Sequence, residues 1–210
     1  MRGWFITLEG VEGAGKSTQA ARLVRALADR GYDVVATREP GGTPLGEGIR
    51  RLVLGDGPAP VPVAELFLML ADRAQHVAEV IRPALAAGRV VIGDRYADAT
   101  RAYQGGGRGL PRELIEPANA AATGGLEPDL TLFLDLPAPS GQVRQRARGA
   151  TDRLEGEGPE FHARVEAAYR RQVAAAPDRI KIIDAGADAD TVHESILSQV
   201  LAALEAGRSG

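Results

Sequence analysis

Apolar residues alternate along this chain between two kinds of run. Short and almost uniformly apolar stretches lie at 4–8, 33–37, 89–93, 130–135 and 180–184. Each reads as a strand, and the lack of polar alternation marks the interior of a parallel sheet, where both faces are covered. Between them, 19–30, 45–54, 63–87, 97–103, 112–122, 140–147, 161–175 and 190–204 are read as helices. In 63–87, Ala64, Phe67, Leu68, Ala71, Ala74, Ala78 and Ile81 fall near one stripe, and Pro83 predicts a bend. Glycine and proline clusters at 38–44, 55–58 and 104–109 predict loops, and 148–158 is polar and glycine-rich, the composition of a mobile segment. Strand and helix in alternation predict an α/β fold: a three-layer α/β/α sandwich around a five-stranded parallel sheet.

Composition narrows this picture. At 210 residues, 44% hydrophobic and 25% charged, residues 1–210 suit one domain with a proper core, and no linker or repeat interrupts them. A net charge of −3 provides no overall basic field for a nucleic-acid polymer or an anionic membrane. There is no cysteine, so disulfides and thiolate metal sites are excluded. The first apolar run is broken by Glu9, unlike a signal peptide, and no stretch reaches the roughly 18 apolar residues of a membrane span. A soluble, cytoplasmic protein is expected.

The candidate chemistry begins where the first strand ends. Gly10-Val11-Glu12-Gly13-Ala14-Gly15-Lys16-Ser17-Thr18 fits the phosphate-binding pattern G-x-x-x-x-G-K-[ST] between a predicted strand and a predicted helix. Gly10, Gly13, Ala14, Gly15 and Thr18 then cradle phosphates with backbone N–H groups at a helix N-terminus. Lys16 reaches the β- and γ-phosphates, and the Ser17 hydroxyl is a ligand for Mg²⁺. Only two lysines occur, Lys16 and Lys181, so a lysine here is not background. Asp94 closes a buried strand, placed either to act on Mg²⁺ or to pair with Arg95 or another arginine. A guanine-reading Asn-Lys-x-Asp motif is excluded, because the one asparagine, Asn119, precedes Ala120.

Further motifs make the pattern specific. Residues 5–18, Thr37-Arg38-Glu39-Pro40-Gly41-Gly42-Thr43, Ala71-Asp72-Arg73-Ala74-Gln75-His76, Asp94-Arg95-Tyr96, Ala102-Tyr103-Gln104-Gly105 and Asp152-Arg153 resemble the thymidylate kinase family in order and spacing. The resemblance implies a P-loop fold with a small helical lid at about 146–158, ATP as donor, dTMP as acceptor, Mg²⁺ and a homodimer. It assigns the acceptor phosphate to Arg38 and Arg95, and the thymine carbonyl to Arg73. Glu12 is assigned to the sugar 3′-hydroxyl or to an arginine, Tyr103 to the sugar 2′ position and Gln104 to the base, with Thr100 in the same pocket. Ala14 brings no charge to the P-loop, so Arg148 and Arg153 are expected to close over the triphosphate. Two positions depart from the family: Met69 stands where a phenylalanine usually stacks on thymine, and Ala99 where serine is common. Met69 shares a helix face with Arg73, whereas Phe67 lies about 200° away and is expected in the core. The histidines need no catalytic role.

Overall fold

The computed structural model describes residues 2–146, 149 and 152–207. Its strands are β1 (Trp4–Glu9), β2 (Val34–Arg38), β3 (Val90–Asp94), β4 (Leu130–Asp135) and β5 (Ile180–Asp184). They form one all-parallel sheet in the order β2-β3-β1-β4-β5. The helices are α1 (Lys16–Ala28), α2 (Pro44–Leu54), α3 (Pro62–His76), α4 (Arg82–Ala86), α5 (Ala97–Thr100), α6 (Arg112–Thr123), α7 (Ala138–Arg146), α8 (Pro159–Ala175) and α9 (Ala189–Ala206). Two π-helical segments, Val77–Ile81 and Arg101–Gly107, continue α3 and α5.

The period of two in a strand divides β1 between two cores. Ile6 and Leu8 pack with Leu23 and Leu27 of α1 and Ile196 and Val200 of α9. Phe5 faces the other way, into a cluster with Val77, Ile81 and Tyr96, and Phe133 of β4 joins Tyr103, Phe161 and Tyr169 on that same side. Burying one such aliphatic or aromatic side chain stabilises by about 1.5–3 kcal/mol. Central β1 aims the chain into the phosphate loop at the carboxyl edge of the sheet, and β2 and β3 end at that edge too.

Two readings of the sequence need correction. Ile81 at the far end of the apolar stripe on 63–87 is buried, but over α3 the stripe does not face inward: Phe67 is 55% exposed, Ala71, Ala74 and, just past α3, Ala78 are exposed, and Glu65, Leu66, Leu70, Asp72, Arg73 and His76 are buried. Polar partners from other elements reward burial of the charged face, a pairing that periodicity ignores. The same segment widens into π geometry just before Pro83, with the Arg82 N–H bonded to the Val77 carbonyl five residues back. Proline has no N–H to continue the regular ladder, so the widening falls where it is least costly. The second correction is 104–109, most of which is helical rather than looped. A Cβ on Gly106 would lie 2.6 Å from the Ala168 Cβ, and one on Gly107 2.5 Å from the Phe161 ring. These glycines serve close packing against α8.

Candidate active site

The phosphate loop is held by contacts that only glycine permits. A Cβ on Gly13 would lie 2.1 Å from the Gly141 carbonyl oxygen of α7, and Gly15 caps α1 at φ 91°. Lys16 folds back so that Nζ donates to the carbonyls of Gly10 at 3.1 Å and Val11 at 2.8 Å. Burial, reinforced by the nearby Arg95 charge, pushes the Lys16 ammonium down to about 8. The Ser17 Oγ donates to Asp94 Oδ2 at 2.6 Å. β3 and the first turn of α1 thus bring two hard oxygen ligands together at the loop, the donor chemistry that Mg²⁺ prefers beside substrate phosphates.

Arg95 follows Asp94 directly and adopts φ 73°, a left-handed conformation unusual for a residue with a side chain. Glu9, fully buried at the end of β1, accepts the Tyr96 N–H at 2.7 Å and the Tyr169 hydroxyl at 2.7 Å, bracing this turn. Burial raises the Glu9 carboxyl to about 7. The Arg95 guanidinium donates to Gly10 O at 3.0 Å, Tyr169 OH at 3.2 Å, Glu12 Oε1 at 2.8 Å and Tyr103 OH at 3.0 Å. The Tyr103 hydroxyl in turn donates to the Glu12 carboxylate at 2.6 Å. Burial works against the Glu12 charge, but Arg95, Lys16 and Tyr103 outweigh it and hold the carboxyl below its usual range.

Across the cavity, Arg73 on α3 is 2% exposed and almost fully engaged. Its Nε donates to Glu39 Oε2 at 2.8 Å, Nη1 to Thr100 Oγ1 at 2.9 Å and Asn119 Oδ1 at 2.6 Å, and Nη2 to Tyr96 O at 2.9 Å. Glu39 also meets His76 Nδ1 at 2.9 Å. Arg38, at the end of β2, is half exposed and pairs with Glu47 at 3.0 Å. Gln104 Nε2 donates to buried Glu65 at 2.8 Å.

One cavity collects most of the expected residues. Glu12, Gly13, Gly15, Lys16, Ser17, Thr18, Asp94 and Arg95 line its phosphate-loop end, and Arg38, Met69, Arg73, Thr100, Tyr103 and Gln104 line the other. Gly10 and Ala14 lie in the loop behind that lining. Arg153, expected over the triphosphate, does not line the cavity: Nε and Nη2 donate to the Val53 carbonyl at the end of α2, with Nε at 2.8 Å, and Nη2 lies 3.8 Å from Glu65 Oε2. Its neighbours Asp152, Leu154 and Glu155 do line the cavity. Arg148 lies outside the described residues. Glu39, Arg50 and Leu54 also line the cavity without having been singled out, although Glu39 stands beside Arg38 in a motif that was.

Residues 8–196 match the family model described as Thymidylate kinase. A thymidylate kinase of Pseudomonas putida (strain GB-1) is 51% identical over 197 residues, covering 93% of this chain and 94% of its own. Another, of Solidesulfovibrio magneticus, is 52% identical over 200 residues, covering 91% and 96%. A crystal structure of thymidylate kinase from Ehrlichia chaffeensis superposes with a TM-score of 0.80 at 30% identity, covering 96% of this chain and all of that one.

Proposed function

This chain belongs to the thymidylate kinase family, and from that premise we propose which of its residues carry the reaction. The enzyme transfers the γ-phosphoryl group of ATP to dTMP, giving dTDP and ADP. The observation that supports our assignment is the continuity of one cavity from Lys16 and Ser17, past Glu12 and Arg95, to Arg73 and Gln104. It is lined for a triphosphate at one end and a base at the other, with cations at the junction where charge accumulates.

In this reading, the loop amides and Lys16 bind the donor phosphates, Arg38 and Arg95 hold the acceptor phosphate, and Glu12 and Tyr103 set the Arg95 fork and face the sugar. Arg73, Thr100, Met69 and Gln104 receive the base. Ser17 and Asp94 would hold Mg²⁺, which would supply charge neutralisation at the phosphates. The acceptor oxygen is already ionised, so in-line attack needs no strong general base, and positioning with electrostatics carries catalysis. The lid at about 146–158 closes through Arg148 and Arg153. For Arg153, closure exchanges the neutral Val53 carbonyl and a 3.8 Å contact with Glu65 for a direct bond to a charged phosphate, a stronger acceptor than the carbonyl.

We also assign a homodimer that covers the exposed apolar face of α3. Val61, Val63 and Phe67 are 67%, 40% and 55% exposed, a cluster that a lone chain would leave in water. No helix among the described residues is long and apolar enough to cross a membrane, and a cytoplasmic site of action suits the substrates.

The deciding experiment is a coupled ADP-release assay with ATP and Mg²⁺ across dTMP, dUMP, dCMP, UMP, dGMP and AMP, with the diphosphate identified by chromatography. Preference for dTMP over dUMP of roughly 10- to 200-fold, the value of one methyl in an apolar pocket, is the expected result. Equal turnover of all six substrates would overturn the base-site assignment, and free phosphate without a diphosphate would overturn the kinase reading.

A further inference from the structure

Glu65 has no part in phosphate chemistry and does not line the cavity, yet it is a fully buried carboxylate on α3. It gathers donors from the segment after α5: Gln104 Nε2 at 2.8 Å from Oε1, and Arg108 through Nε at 3.2 Å and Nη2 at 2.9 Å. Arg108 is itself fixed, with its guanidinium 4.8 Å from the centre of the Phe161 ring and Nη1 2.6 Å from Glu157. A carboxylate flanked by guanidinium groups can only accept hydrogen bonds. The Gln104 amide must therefore turn its NH2 toward Glu65, and the oxygen is the end left for the cavity that Gln104 lines.

The partner across the cavity is equally constrained. Of the five N–H bonds of Arg73, one on Nε, two on Nη1 and one on Nη2 have protein acceptors, which leaves one Nη2 donor. Arg73 and Gln104 then offer the base one donor and one acceptor between them, beside the Thr100 hydroxyl, which already accepts from Arg73. That pair matches the adjacent C=O and N–H of a 4-oxo pyrimidine and opposes the amine and ring lone pair of a 4-amino pyrimidine.

We propose that Glu65 is a specificity-determining positioning residue, which fixes the Gln104 amide with its oxygen toward the base and so selects 4-oxo over 4-amino pyrimidine nucleotides. This rests on the reading that the base lies against Arg73 and Gln104. It assigns selectivity to hydrogen-bond polarity, the stronger discriminator where the apolar platform is Met69, because a mismatched base leaves buried polar groups unpaired.

The test compares kcat/KM for dTMP and dCMP in the wild-type enzyme, Glu65→Gln, Gln104→Ala and the double variant. A glutamine at 65 offers either a donor or an acceptor, so the Gln104 amide is free to flip. Glu65→Gln is expected to lower the dTMP:dCMP ratio at least about tenfold with the KM for ATP unchanged within about twofold, and to add nothing in the Gln104→Ala background. Loss of packing alone would not move that ratio. A Glu65→Gln ratio within about twofold of wild type, beside a lowered ratio in Gln104→Ala, overturns the role of Glu65 and keeps the base site. An unchanged ratio in Gln104→Ala overturns the base site and the proposal with it. Should Glu65→Gln not fold, the wild-type enzyme still decides by NMR. The Gln104 side-chain NH2, compared with Gln104→Ala if that variant folds, is expected to resist hydrogen exchange with and without dTMP. Free exchange in either state overturns the proposal.

Discussion

Raising the pH from 7 to 9 should weaken ATP binding through Lys16. In the free enzyme the Nζ is enclosed by the Gly10 and Val11 carbonyls, and burial, helped by Arg95, lowers its affinity for a proton to about 8 from an ordinary 10.5. That difference corresponds to roughly 3.4 kcal/mol held against the charged form. Triphosphate beside Nζ restores the charge, so binding takes up a proton wherever the free lysine has lost one. At pH 8.5 a lysine titrating near 8 is about one-quarter protonated and one restored to 10.5 nearly fully so, an uptake of about 0.75 proton per ATP. Below pH 7 the uptake vanishes, and by pH 9 affinity has fallen about tenfold. The phosphate's own last ionisation, near pH 6, is complete by then. Calorimetry in two buffers of different ionisation enthalpy reads the uptake directly, with Lys16→Arg as the control that holds its proton throughout. The same depressed value makes the unliganded protein gain stability between about pH 8 and 10.5, where the unfolded chain retains the proton that the folded one has released. Uptake below about 0.2 proton at pH 8.5, or uptake that persists in Lys16→Arg, refutes the reasoning.

Arg153→Ala should cut kcat at least about tenfold with dTMP KM changed less than about threefold, because the lid cation acts only in the closed complex; steady-state kinetics with unchanged kcat would leave Arg153 as a brace on Val53. Phe67→Glu should convert a dimer to a monomer in sedimentation, since it sets a charge in the apolar face of α3, and an unchanged mass would place the interface elsewhere. Arg179→Ala removes the guanidinium that grips buried Asp98 at 2.7 and 2.9 Å and should cost about 3 kcal/mol in urea denaturation. A loss under about 1 kcal/mol would mean that Arg101, 3.0 Å from the same carboxylate, suffices alone.

The strands were legible because a parallel sheet buried on both faces demands apolar runs, and Phe5-Ile6-Thr7-Leu8 and Leu130-Thr131-Leu132-Phe133-Leu134 have little other reading. The inward face of α3 was not. Its buried residues include Glu65, Asp72, Arg73 and His76, whose acceptors and donors come from Glu39 just after β2, from the segment after α5 and from the loop after Pro40. A helix-period count scores those positions as solvent-facing and scores Phe67 as core. The Gly105-Gly106-Gly107 run misled in the same way, since composition cannot distinguish a glycine that bends the chain from one that admits a neighbouring helix. Arg38, Arg73 and Arg95, which line the cavity, stand in motifs that the sequence singles out, but their partners were not legible there. Arg95 meets Glu12 across 83 positions and Arg73 meets Glu39 across 34, and such pairs are set by topology.

Those partners decide which cations can move to a phosphate. Every arginine assigned here to a substrate, apart from Arg148 outside the described residues, already has an acceptor, so the substrate must displace it or share the guanidinium with it. Arg38 is the most readily exchanged: its side chain is 54% exposed and its partner Glu47 is 42% exposed, a pairing worth about 1 kcal/mol or less in water. Arg95 is 17% exposed and its fork is shared among two tyrosines, Glu12 and a carbonyl, so it can pivot toward a phosphate without abandoning all of them. Arg73, 2% exposed against a Glu39 that is 4% exposed, keeps its pair, because breaking a buried one costs roughly 3–5 kcal/mol. In the assignment proposed here, the gradient runs from the more readily exchanged cations, given to the phosphates, to a fixed one, given to the base. That is the division a kinase needs, because phosphate charge changes during transfer while the base does not.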